Sequence, residues 1–165
     1  MTAYTNLGDI FAIDLKKNIE FAKEHEGFRK HEYICPAGRR TIYYGHNTDD
    51  DPDPMETGEV VLKNDLERAV RELEMVFQEQ FYFLPNEVQF VLVDMVFNMG
   101  LETFLRFKNM IIAVKERDWD RMWKEIKYRD GMKCQELSDY YKQVNRRAKK
   151  LVGIIKKLAN EQKKE

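Results

Sequence analysis

Three side chains able to move a proton or hold a water fall in one short stretch: Glu26, Cys35 and Thr41. A protonated carboxyl group beside a bond that must break can act as a general acid. A thiol and a hydroxyl facing it can orient a water or supply a nucleophile. Glu26 follows a segment, Asp14 to His25, where Leu15, Ile19 and Ala22, with Phe21 alongside, approximate one helical face. Gly27 is the helix stop. A helix end presents orphan carbonyls and the negative end of its dipole, which disfavours a further negative charge there. Taken singly, each residue has an ordinary explanation. A terminal Glu is usually solvated, and a lone cysteine is usually a small core residue.

The elements around them follow from local pattern. Tyr33 and Ile34 precede Pro36-Ala37-Gly38, which suits a type I turn, and Thr41 to Tyr44 reads as a β-branched and aromatic strand. The stretch from His31 to His46 is therefore a small hairpin folding beside the helix end. An acidic, proline-punctuated loop (Asn47 to Glu56) follows, and then the chain turns helical. Thr57 is the expected N-cap of a helix with Val61, Leu62, Leu66, Ala69, Val70, Leu73 and Phe77 inward. Pro85 opens a helix, apolar nearly all round, that ends near Gly100. Further helices are expected over Lys108 to Lys115, Asp118 to Tyr128 and Ser138 to Asn160. The fold class is α+β and predominantly helical, one unit over 1–165 with a hairpin lobe at about 27–60 and a helical lobe.

Composition narrows the function. Of the 165 residues 43% are apolar and 35% charged, and the formal net charge is −1. That balance argues against a nucleic-acid-binding domain, which is normally basic. No apolar run is long enough to span a membrane, and no signal-peptide pattern is visible. Cys35 and Cys134 are expected to be reduced. No metal or cofactor is expected: His25, His31, Cys35 and His46 lack paired ligand spacing, and Pro52 and Pro54 interrupt the Asp49-Asp51-Asp53 series. The basic run from Lys142 to Lys164 carries an apolar stripe of Leu151, Ile154, Ile155 and Leu158, so it reads as a solvated face of a packed helix.

The run E-G-F-R-K-H-E-Y-I-C-P-A-G-R-R-T-I-Y-Y-G-H, Glu26 to His46, closely resembles the catalytic signature of the phage-type lysozymes, glycoside hydrolase family 24. Glu26, Cys35 and Thr41 fall at that family's E-x8-(D/C)-x5-T spacing. Leu92 to Gly100 resembles its central helix, Lys115 to Trp123 a following helix start, and Val144 to Lys149 its late N-R-R motif. The resemblance implies a lysozyme-like two-lobed fold. It also implies hydrolysis of the β-1,4 bond between N-acetylmuramic acid and N-acetylglucosamine in bacterial peptidoglycan. By the same resemblance Glu26 is the acid, Cys35 and Thr41 hold a water or nucleophile, and Arg147 pairs with the acid. Arg146 is the alternative partner. A partner cation would oppose the helix-end effect on Glu26.

Phe97 and Asn98 match the floor of the family's cleft, and His46 is expected in a structural ion pair. Tyr43 stands where the family usually has glycine. Strand alternation puts it on the Thr41 side, where it could stack on a sugar or narrow the cleft. A phage-lysis protein of this kind is expected as a monomer, accumulating in the host cytoplasm and needing a holin-type pore to reach the wall. The competing expectation is an inactive peptidoglycan-binding module on the same fold, kept open by Cys35 and Tyr43.

Overall fold

The computed structural model describes residues 13–49, 58–129 and 136–164. Asp14 Oδ1 accepts from the Lys16 amide at 3.0 Å and so satisfies one orphan donor where α1 (Lys16–Glu26) begins. Asn18, buried on the inner face of α1, donates to the Phe90 carbonyl at 3.0 Å and fixes the helix against its neighbour. Gly27, at φ +67°, takes the chain out of the helix immediately after Glu26.

The expected hairpin is a three-stranded antiparallel sheet in the order β1 (Arg29–Ile34), β2 (Arg40–Tyr43), β3 (His46–Asn47). The turn between β1 and β2 closes through Gly38 N–H donating to the Cys35 carbonyl at 2.8 Å. Tyr33 pairs with Thr41 and Ile34 with Arg40, with an irregularity between Arg29 and Tyr33. The third strand exists because Gly45, at φ +85°, reverses the chain so that Ile42 faces His46 and Thr41 faces Asn47. The side chains this region buries are polar: Thr41, His46 and Thr48. Its tie to the helices is a hydrogen bond of 2.9 Å between His46 Nδ1 and Asp65 Oδ2.

Helix α2 (Gly58–Phe77) buries Val61, Leu62, Leu66, Ala69, Leu73 and Phe77, as its periodicity predicts. The proposed cap Thr57 and most of the acidic loop lie outside the described residues, as does Cys134. A 3₁₀ turn (Gln78–Phe83) leads through Pro85 into α3 (Asn86–Met99), where every residue from Val91 to Val96 is buried. Gly100, at φ +75°, ends α3. Against α3 pack α4 (Leu101–Phe104) and α8 (Asn145–Gln162), and α5 (Lys108–Lys115), α6 (Trp119–Lys127) and α7 (Asp139–Gln143) complete the helical cluster. Asp118 and Ser138 cap α6 and α7 by accepting from the Arg121 and Tyr141 amides.

The single helix expected from Ser138 to Asn160 is interrupted. Val144 sits at φ −102° and ψ 15°, its amide closing α7 on the Tyr140 carbonyl. Restarting at Asn145 sets the inward face of α8 as Arg147, Ala148, Leu151, Val152, Ile155 and Ala159. The result is α+β and mainly helical. The core belongs to the helices.

Candidate active site

A cavity of about 610 Å³ opens between the sheet, the end of α1, the middle of α2 and the end of α3. Glu26, Cys35, Thr41, Phe97 and Asn98 all line it, so five of the residues singled out in the sequence share one space. A second cavity of about 820 Å³ lies among α4 to α7 and shares Asn98 and Met99 with the first.

Glu26 is placed by contacts on both carboxylate oxygens. Arg147 Nη1 donates to Oε1. On the other side the backbone of Gly45 comes so close that a Cβ there would lie 3.1 Å from Oε2. Gly45 is thus needed twice, for its positive φ and for the room it leaves the carboxyl group. The Glu26 side chain is 24% exposed, reachable from the cavity yet held from behind.

Arg147 is only 4% exposed and belongs to a longer chain of charges. Its Nε and Nη2 donate to the two oxygens of Asp94 at 2.9 and 2.7 Å, a bidentate fork in the core. Asp94 is 1% exposed. Burial pushes the Asp94 carboxyl up from its ordinary range while the Arg147 fork opposes that shift. For Arg147, burial works against the charge, but Asp94 and Glu26 outweigh it and hold the guanidinium above its ordinary value. Phe21 and Phe97 flank the guanidinium, each with its ring centroid 5.7 Å from Cζ.

Across the cavity, the Arg39 backbone, then the Thr41 hydroxyl, hold the Cys35 thiol below its usual value. The Thr41 hydroxyl also donates to the Arg39 carbonyl at 3.1 Å. One hydroxyl proton cannot satisfy both acceptors, so the charge state of Cys35 and the rotamer of Thr41 are linked. Tyr33 lines the same wall, and its phenol is pushed up first by burial and also by the negative charge of Glu26.

Tyr43 departs from the alternation argument. Its φ of +55° ends regular strand geometry, and its ring stacks on Phe28 at 5.9 Å with an interplanar angle of 13°. Cys35 of the turn and Thr41 of β2 face the cavity, while Tyr43 packs beside Gly58. His46 pairs with Asp65, and Arg146 with Glu24 rather than Glu26. His25 Nδ1 lies 2.8 Å from the Phe21 carbonyl, so the histidines considered as ligands face separate partners.

The description phage lysozyme belongs to the family model that matches residues 23–150. The chain belongs to the phage lysozyme family. No curated protein matches it in direct sequence comparison. Membership makes this lysozyme a glycoside hydrolase of the endolysin type whose substrate is peptidoglycan. No helix among its described residues is long and apolar enough to cross a membrane.

Sequence reasoning about this lysozyme missed Asp94, and a signal for it was present. It is the sole acidic residue in the apolar run from Val88 to Met99, where an unpaired charge would be costly. Arg68 and Glu72 were missed too. They line the cavity from α2, and nothing in their local pattern separates them from solvated helix residues.

Proposed function

We propose that the chain is a single catalytic domain, a muramidase that cuts the β-1,4 bond from N-acetylmuramic acid to N-acetylglucosamine. Glu26 gives its proton to the glycosidic oxygen as the bond from that oxygen to the anomeric carbon breaks, and an oxocarbenium-like centre develops. Cys35 and Thr41 act on the opposite sugar face. There they orient a water whose oxygen bonds to the anomeric carbon while its proton leaves toward the thiolate, or the thiolate itself attacks and is displaced by water afterwards. A water-mediated inversion requires roughly 6.5–9.5 Å between acid and base groups, and direct attack requires less. Phe97 and Asn98 form the floor on which the sugar rests.

The observation that carries this reading is the shared cavity lined by Glu26, Cys35 and Thr41. The stacking of Tyr43 on Phe28 supports an open cleft over a blocked one, and so favours an enzyme over a binding module. Biologically, the reading is a monomeric protein of phage-mediated lysis. It waits in the host cytoplasm and reaches the wall through a holin-type pore, with no nucleic-acid partner. The test is mass spectrometry of a digest reduced with borohydride. New muramitol ends are expected. New glucosaminitol ends, or wall binding with no new ends, would overturn the assignment.

A further inference from the structure

We propose that Asp94 is a positioning residue for the reaction, which holds Arg147 so that Glu26 is the carboxyl group left to carry the transferable proton. This rests on the reading of Glu26 as the general acid. One guanidinium faces two carboxyl groups and cannot neutralise both. The geometry divides it unequally. Asp94 takes two parallel hydrogen bonds, with both oxygens accepting, which favours the ionised form against the burial that raises its carboxyl. Glu26 takes one, on Oε1, and its side chain is a quarter exposed toward the cavity. The fork therefore favours the anion at the buried Asp94 against its burial, while Glu26, with a single hydrogen bond from Arg147, is the carboxyl group that reaches the cavity.

Position follows as well as charge. Without the fork, Arg147 would rest only on the flanking Phe21 and Phe97 rings and on Glu26 itself, and could follow the glutamate instead of holding it. Asp94 sits on α3 and Arg147 on α8, while Glu26 ends α1, so the fork references the acid to two helices of the core. His25 precedes Glu26 on α1, Tyr33 and Cys35 face it from the sheet, and Tyr140 of α7 faces the Asp94–Arg147 pair. On α2, Asp65 is bound to His46 and Arg68, and Glu72 lines the far wall. None of these contributes a second hydrogen-bonded fork to Arg147.

The experiment compares wild type, Asp94→Asn, Asp94→Glu and Glu26→Gln on peptidoglycan, each verified as folded at the assay temperature. Deleting the Asp94 charge leaves Arg147 to stabilise the Glu26 carboxylate alone. The basic limb of the kcat/KM profile then moves to lower pH, and kcat falls roughly 10- to 100-fold, the range met when outer partners of a metal ligand are removed. KM stays near wild type. Asp94→Glu keeps the charge, so its kcat falls while the basic limb stays in place. A purely structural role would lower the melting temperature of Asp94→Asn and leave the limb where it was, which would overturn the proposal. A wild-type measurement guards against a variant that does not fold. The ¹³C carboxyl resonance of Asp94 should show it ionised throughout the range in which activity declines, and titration of Asp94 in step with activity would also overturn the proposal. Full activity of Glu26→Gln would instead remove the general-acid reading, and with it the basis for this one.

Discussion

On the helical side of the cleft, Arg147 and Asp94 are buried and forked together, and they hold Glu26 from the interior of the core. On the sheet side, Cys35 sits in a surface turn, and the strands that carry it bury polar groups with no apolar layer of their own. Glu26, the proposed proton donor, is thus tied to buried residues of the helical core. The groups on the opposite face are held by a few hydrogen bonds, one histidine–aspartate pair and the packing of Phe28 and Tyr43 beside Gly58. The contrast teaches a division of labour. An acid must meet one oxygen within hydrogen-bond reach, whereas a water and its partners can adjust as the sugar enters.

The comparison breaks first at Glu26. Replacing it with Gln should lower turnover of the natural wall by about 10²- to 10⁴-fold with little change in melting temperature. Arg147→Met comes next. It leaves Asp94 as an uncompensated buried charge, and denaturant unfolding should show a loss of about 3–5 kcal/mol. The neighbouring Arg146→Ala, which breaks only an exposed pair with Glu24, should leave the unfolding midpoint essentially unchanged. Equal costs would erase the distinction between buried and peripheral support.

Gly45→Ala probes the seam between the two sides. The added methyl meets Glu26 Oε2 and the φ of +85° disfavours any L side chain, so a loss of roughly 1–2 kcal/mol with a fall in kcat is expected. On the sheet side, thiol alkylation measured against pH should show Cys35 reacting at lower pH than an unperturbed cysteine. Thr41→Ala should move that midpoint up, because a donor to the thiolate is gone. Alkylation of Cys35 should also inhibit the enzyme.

The smallest effect lies far from the cleft, at Asp120. Lys124 and then Lys163 hold its carboxyl down to about 2. With a depressed folded-state value, its contribution is present above the unfolded carboxyl range and is lost as pH falls toward 2. Since the group is partly exposed, Asp120→Asn should cost under about 1 kcal/mol at neutral pH, and nothing at strongly acid pH.

The sheet–helix contrast was itself only half visible in the sequence. Helices α2 and α3 announced themselves by periodicity and by Pro85 and Gly100, because burial of a repeated face leaves a repeated pattern. That Glu26, Cys35 and Thr41 would share one cavity followed from the resemblance of their stretch to a family signature, and the Arg147–Glu26 pair from the late motif of the same family. Strand β3 was not legible, since two residues carry no alternation and its existence depends on the turn at Gly45. The facing of Tyr43 was not legible for a similar reason: a positive φ ends the two-residue period on which facing arguments depend. Val144 can sit within a helix, so no local rule placed the break before α8. Asp94 shows how a long-range pair hides. Its partner lies 53 positions away, and only the cost of leaving it unpaired hinted that a partner had to exist.

A substrate that needs no proton offers the sharpest test of Glu26. Glu26→Gln and wild type can be compared on polymeric wall and on an aryl glycoside whose acidic phenol leaves unaided. The account predicts a large loss on the wall and a much smaller one on the aryl substrate. Equal losses on both would contradict proton donation by Glu26.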